Sequence, residues 1–214
     1  MSSIFLDFIS GAMHKEILTE NQVKLLPLVK SFHRDFYLVG GTAIALHLGH
    51  RRSIDFDLFT EKKFDNGVIR KKIRRKNLIQ RIVRDQDGQF TVVALGTYMT
   101  FFEYPFIIPL TDEFTVVRVP DLLTLAAMKA YALGRRSKWK DYVDLYFVMR
   151  ECHGIEAIVN AAKKIFGAEF NEKLFRGQVS YFADINYSEE VIYMPGFAVS
   201  DATVKKNLVK FSIE

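Results

Sequence analysis

Apolar positions recur at helical spacing through residues 11–32, where Ile17, Leu18, Val23, Leu25, Leu26, Leu28 and Val29 form one set. FYLVGG is a short apolar run stopped by two glycines, which predicts a strand. TAIALHL then predicts a short helix with Thr42 near its start, and SIDFDLFT alternates as a second strand. Residues 65–77 predict a basic helix. QRIVRDQDGQFTVVALGTYMTFFEYPF predicts two or three strands with DQDGQ as a tight turn, and FTVVRV a further strand before Pro120.

Beyond Pro120 the period becomes helical throughout. PDLLTLAAMKAYALG has Pro at its first position and Gly at its end; KWKDYVDLYFVMREC and HGIEAIVNAAKKIFG predict the next two helices, and residues 169–182 a fourth. The tail from 187 to 214 has no clear period. Repeats, low-complexity tracts and Pro/Ser-rich linkers are absent from the sequence. The pattern predicts two lobes: an α/β lobe over residues 1–118 and a mainly helical lobe over 119–214.

Composition narrows the class. Hydrophobic residues make up 49% and charged residues 26% of the 214, the balance of a soluble globular chain with a sizeable core. No apolar run approaches the roughly 20 residues needed to span a bilayer, so no membrane partner is expected. The start, MSSIFLDFISGAMHKE, has an acid in its apolar part and no basic lead, unlike a signal peptide; a cytoplasmic location is expected. Cys152 is the sole cysteine, which excludes an internal disulfide and a cysteine-based zinc cluster. The net charge of +5 is uneven: residues 62–84 hold ten Lys or Arg against one Asp, a local +9, leaving the remainder near −4. Such a patch suits a polyanion such as RNA, or simply a solvated helix face.

Asp55 and Asp57 alternate with Ile54, Phe56 and Leu58, so on a strand both carboxylates share one face and the apolar three turn to the core. Two adjacent carboxylates repel unless a cation lies between them, and hard oxygen ligands at this spacing suit Mg²⁺ or Mn²⁺. The other reading is an amphipathic edge strand with its acids in water. Gly40 and Gly41 end a strand and open a helix, which lets backbone N–H groups approach a phosphate; Thr42 supplies a hydroxyl or caps the helix. Lys129 lies in LLTLAAMKAYAL, a helix apolar almost all round, and therefore needs a carboxylate partner or a polar cleft. Asp141 and Asp144 on the next helix offer a structural ion pair; a triphosphate offers the alternative. The five histidines form no metal-ligand pattern, and His47 and His50 suggest a capping or surface role.

Together these stretches resemble a known family. GGTAIALHLGHRRSIDFDLF is similar to the first motif of the AbiEii/AbiGii-type nucleotidyltransferases of the DNA polymerase β-like superfamily, and AAMKAYALGRRSKWKDYVDLY to its later motifs. The matched blocks cover residues 37–60 and 119–147. The resemblance implies an α+β fold: a mixed sheet with flanking helices, then a C-terminal helical lobe. It implies transfer of a nucleoside monophosphate from an NTP, with Mg²⁺ or Mn²⁺ as cofactor. By motif position Gly40, Gly41, Thr42 and Ser53 would hold the nucleotide, Asp55 and Asp57 the metal, Lys129 would face the phosphates, and Asp141 would be the later catalytic carboxylate. Arg51 and Arg52 would compensate the aspartates or hold substrate. Relatives act as toxins of toxin–antitoxin pairs, some on tRNA. An antitoxin partner and an RNA or tRNA acceptor are therefore expected, with Arg70, Lys71, Lys72, Arg74, Arg75 and Lys76 as the RNA-binding set; a protein hydroxyl is the other acceptor class.

The resemblance departs from the superfamily at one place. A third carboxylate commonly follows on a later strand to help deprotonate the attacking hydroxyl. The corresponding stretch, GTYMTFFEYPF, has no Asp near Thr100 and offers only Glu103. This keeps a second function in view, a catalytically degenerate nucleotide- or RNA-binding protein on the same fold, and a third, a metal-independent globular protein.

Overall fold

The structure, a computed structural model, describes residues 13–114, 117–133 and 135–214. The N-terminal stretch through Ala12, Thr115 and Val116 of the expected FTVVRV strand, and Gly134, expected to end a helix, lie outside the described residues. Two compact units form. Among the described residues, one comprises 18–43 and 53–121; the other comprises 13–17, 44–52 and 122–214. The sequence pattern suggested a single passage from one lobe to the next near 118, whereas residues 44–52 leave the first unit and return to it.

In the sheet unit, α1 (Glu20–Lys30) begins at Thr19, whose hydroxyl caps Gln22 N–H while Gln22 reaches back to the Thr19 N–H, a reciprocal capping box. It starts later than the apolar spacing suggested because this cap marks the boundary. Then come β1 (Tyr37–Val39), α2 (Gly40–Leu48), β2 (Phe56–Thr60) and α3 (Asn66–Arg74), which Asp65 caps. Next are β3 (Ile79–Gln86), β4 (Gln89–Ala94) and β5 (Thr97–Glu103). The DQDGQ turn forms as expected, with Gly88 at φ +69°. The strand order is β1-β2-β5-β4-β3, and β2 runs parallel to β5 while the other pairs are antiparallel. FTVVRV does not form one strand: β6 (Asp112–Phe114) and β7 (Val117–Val119) pair with each other in antiparallel register.

Side-chain parity sorts this sheet into two faces. Phe56, Leu58, Phe90, Val92, Met99 and Phe101 are buried on one. Phe32 and Phe36, from the turn after α1, meet Phe101 edge-on at 4.8 and 5.2 Å between ring centroids. Each such contact contributes about 0.5–1.5 kcal/mol beyond the area buried. Ile54 corrects the alternation expected for IDFDLF. It precedes β2, does not join the core and is 44% exposed.

The helical unit contains α4 (Leu122–Leu133), α5 (Trp139–Glu151), α6 (Ile155–Phe166), α7 (Glu172–Val179) and α8 (Asp201–Ser212). The tail that showed no clear period supplies α8, started by the Ser200 hydroxyl accepting from Thr203 N–H. Lys205 of α8 points its ammonium at the rings of Trp139, Tyr187 and Phe182, at 5.6, 5.4 and 5.8 Å from their centroids, which fastens the C-terminal helix by cation–π attraction.

Candidate active site

The glycine turn and the acidic strand are built as one piece. Val39, the residue before the turn, pairs with Asp57 across β1 and β2. Gly40 sits at φ +74°, and a Cβ there would lie 2.1 Å from Asp57 Oδ2 and 3.0 Å from its Cγ. Only glycine meets both demands, the left-handed backbone and the seat of the carboxylate against it. Sequence reasoning assigned this glycine to phosphate approach; the structure adds that it admits Asp57. Thr42 is buried, its Oγ1 lies 2.9 Å from Ser53 Oγ, and it donates to the main-chain carbonyl of Asp55. The hydroxyl thereby ties the first turn of α2 to the chain entering β2. Gly40, Gly41, Thr42, Ser53, Asp55 and Asp57 thus all belong to the sheet unit.

The register of β5 answers the question of the third carboxylate. Asp57 pairs with Thr100, and Thr60 pairs with Glu103. Asp57 and Thr100 therefore share a face, while Glu103, three residues on, takes the parity of Met99 and Phe101 and faces the other way. Glu103 does not stand beside Asp57. Its place there is held by a threonine.

Lys129 and Asp141 belong to the helical unit. Lys129 is 5% exposed, with its ammonium 2.7 Å from Asp141 Oδ1 and 3.0 Å from Asp144 Oδ2. Asp144 is completely buried and also accepts from Arg51 Nε at 2.7 Å, Arg51 Nη2 at 2.8 Å and His50 Nε2 at 2.8 Å. Arg136 reaches Asp141 Oδ2 from a more exposed position, 2.9 Å away. Burial works against the ionised Asp144, yet Arg51 and Lys129, with hydrogen bonds from His50 and Arg51, hold its carboxyl well below the usual range. Asp141 is lowered too, as Lys129 and Arg136 overcome burial. Lys129 is raised because Asp141 and Asp144 outweigh the burial of its charge.

This network corrects two expectations. His50 is neither a cap nor a surface group but fully buried. Arg51 spends its charge on Asp144 in the helical unit. Burial lowers the pKa of His50 despite Asp144, and its Nδ1 has no hydrogen-bond partner. A proton on Nδ1 would be a buried unsatisfied donor, so the ring is neutral and gives its Nε2 proton to Asp144.

The six residues of the expected RNA-binding helix divide. Arg70 pairs with Asp85 and lies 5.6 Å over the ring of Phe90; Lys72 hydrogen-bonds the Ser31 carbonyl and lies 4.4 Å over Phe32. These two are used within the fold. Lys71, Arg74, Arg75 and Lys76 are exposed. Phe90 and Phe32 belong to the core side of the sheet, so α3 covers the face opposite Asp57. No group of three or more His, Cys, Asp or Glu able to hold a metal occurs among the described residues.

The mixed five-stranded sheet with its flanking helices is a fold that solved nucleotidyltransferase structures share. Two solved structures are similar to this chain. The JHP933 protein of Helicobacter pylori is 15% identical with a TM-score of 0.54, over 94% of this chain and 91% of that one. MenT4, a nucleotidyltransferase toxin of Mycobacterium tuberculosis, is also 15% identical with a TM-score of 0.54, over 84% of this chain and 76% of that one. The chain belongs to the AbiEii nucleotidyltransferase toxin family, described as "Nucleotidyl transferase AbiEii toxin, Type IV TA system", which matches residues 28–96 and 89–194. An uncharacterised protein of Aquifex aeolicus, aq_aa25, is 37% identical over 127 residues, 56% of this chain and 60% of the relative. The chain thus matches less than two thirds of that relative's length. No helix among the described residues is long and apolar enough to cross a membrane.

Proposed function

We propose that this chain transfers a nucleoside monophosphate from an NTP to an acceptor hydroxyl, in the cytoplasm, as the toxin of a pair with a protein antitoxin. The observation that carries the reading is the seat of Asp57 against Gly40, which joins the phosphate-approaching turn to the acidic strand in one rigid geometry. Asp55 and Asp57 fit Mg²⁺ or Mn²⁺, since such ions take one or two carboxylates and leave the remaining positions to phosphate oxygens and water. The bound ion would neutralise the charge that develops on the triphosphate.

The main chain of Gly40 and Gly41 receives phosphate oxygens, and Thr42 and Ser53 hold that turn to the start of β2. The acceptor oxygen forms a new bond to the α-phosphorus, the bond to the bridging oxygen breaks, and pyrophosphate leaves with the electron pair. The acceptor proton passes to water, as Thr100 supplies no base beside Asp57. In such sites catalysis rests on positioning and electrostatics more than on covalent work by the protein. Asp144 acts as a positioning residue that holds His50 and Arg51, just upstream of Ser53 and Asp55 in the chain, and Lys129 ties it to Asp141.

Thr100 in the row of Asp57 also favours a second reading, a protein that binds nucleotide without turnover. One experiment separates them: incubation of the chain with each α-³²P-labelled NTP, Mg²⁺ and total RNA, beside Asp55→Ala and Asp57→Ala. Label in RNA or protein with the wild type, lost in both variants, is the expected result. Absence of label with all four NTPs, alongside an NTP-dependent rise in melting temperature, overturns the transferase and leaves the binding protein.

A further inference from the structure

The register of the sheet runs a row of side chains from Asp57 to the opposite edge. Asp57 pairs with Thr100, Thr100 with Thr91, and Thr91 with Arg84. One step along, Tyr98 pairs with Val93 and Val93 with Arg81. Arg81 and Arg84 are three residues apart, but register shifts between Ile79 and Arg81 and between Ile82 and Arg84 bring them opposite Val93 and Thr91, so with Tyr98 they lie on the Asp57 face, about 14 Å across for three strand spacings. Direct contacts agree: Arg81 donates to Tyr98 Oη at 3.2 Å, and Arg84 to Gln89 Oε1 at 3.0 Å. Both arginines are exposed, and Tyr98 is 38% exposed. Neither arginine has a carboxylate within ion-pair distance among the described residues, in contrast to Arg70 on the other face, which has Asp85.

We infer that this face, Arg81 and Arg84 with Tyr98, is the track for a single-stranded RNA acceptor whose reacting hydroxyl is presented to Asp57. The inference rests on the transferase reading for the role of Asp57. Two uncompensated guanidinium groups recognise successive phosphates, and an exposed tyrosine between them and the acidic row offers a stacking surface to a base. The basic helix α3, which the charge pattern singled out, lies on the face away from Asp57 and is not the acceptor track.

The test is fluorescence anisotropy of an end-labelled oligoribonucleotide with the full chain, without NTP, over a range of salt. Wild type is compared with Arg81→Gln/Arg84→Gln and with Lys71→Gln/Arg74→Gln/Arg75→Gln/Lys76→Gln, each checked for an unchanged melting temperature. Two lost phosphate contacts on a single strand are expected to lower the slope of log K against log salt by about 1.4, and affinity at 100 mM salt by about 25-fold. The α3 variant is expected to keep the wild-type slope. Loss of binding in the α3 variant alone overturns the inference, as does a double variant that binds like wild type. A double variant that binds normally but self-associates assigns the arginines to guarding an exposed edge strand instead. Failure of the wild type to bind RNA excludes an RNA acceptor, while label transfer to protein in the NTP experiment would leave the transferase reading standing.

Discussion

Replacing Asp144 by alanine tests the buried network most directly. The carboxylate takes hydrogen bonds from Arg51 Nε and Nη2 and His50 Nε2 and pairs with the Lys129 ammonium, all within 3.0 Å, at a point with no solvent exposure. Without it, Lys129 keeps Asp141 at 2.7 Å, and Arg51 Nη1 keeps the Arg52 carbonyl. Arg51 Nε and Nη2, however, lose their acceptor while only 2% exposed. An uncompensated buried charge of this kind costs about 3–5 kcal/mol. Asp141→Ala is expected to cost less, about 1–2 kcal/mol, because Lys129 keeps Asp144 and the half-exposed Arg136 returns to water. The assay is urea unfolding at pH 7 followed by the fluorescence of Trp139, the single tryptophan, which is buried at the start of the helix that carries Asp144. With a slope of about 2 kcal/mol per molar, the midpoint for Asp144→Ala should fall by about 2 M. A loss below about 1 kcal/mol, or equal losses for the two aspartates, would refute the reasoning. Replacing the set together, His50→Leu/Arg51→Met/Asp144→Leu, should recover much of the loss, because Lys129 keeps Asp141 and an ion pair replaced by packed apolar groups leaves no charge stranded.

Two further outcomes are expected from the same geometry. Gly40→Ala must relieve the 2.1 Å approach to Asp57 Oδ2 and adopt a left-handed backbone, which alone costs about 1–2 kcal/mol; it should lower stability and abolish the NTP-dependent rise in melting temperature, and an alanine variant with wild-type nucleotide response would show that the seat of Asp57 is unimportant. His50 has its pKa lowered by burial, so the unfolded chain binds a proton near pH 6.5 that the folded chain refuses. Its contribution is present above pH 6.5 and is lost as pH falls below it, by up to about 1.4 kcal/mol per pH unit; urea titrations of His50→Gln between pH 7 and 5 should show that slope reduced, and an unchanged slope would place the titration elsewhere.

Much of the fold is written in local pattern. The glycines after YLV, the alternation of FDLFT and the apolar helix around Lys129 each predict their element, because strand and helix periods are properties of neighbouring residues. The need of Lys129 for a carboxylate follows from burial alone, and helical spacing narrows the partners to Asp141 and Asp144, both of which it takes. The D-x-D spacing and the Gly-Gly turn were likewise legible, and with them the family.

Other features depend on pairings between distant residues, about which local pattern is silent. That β5 inserts between β2 and β4, in parallel register with β2, decides that Thr100 stands beside Asp57 and that Glu103 turns away. The same register brings Arg81 and Arg84 onto the Asp57 face, while α3 settles on the other side through Ile69 and Ile73, its two buried isoleucines. His50 read as a capping or surface group, and Arg51 as a partner of the aspartates or of substrate, because their partner, Asp144, lies more than ninety residues away in sequence. The chain by itself determined which elements form and which side chains require a partner. Tertiary structure decided which partner each one meets, because hydrogen-bond register and the burial of charge are satisfied only between segments that the fold brings together.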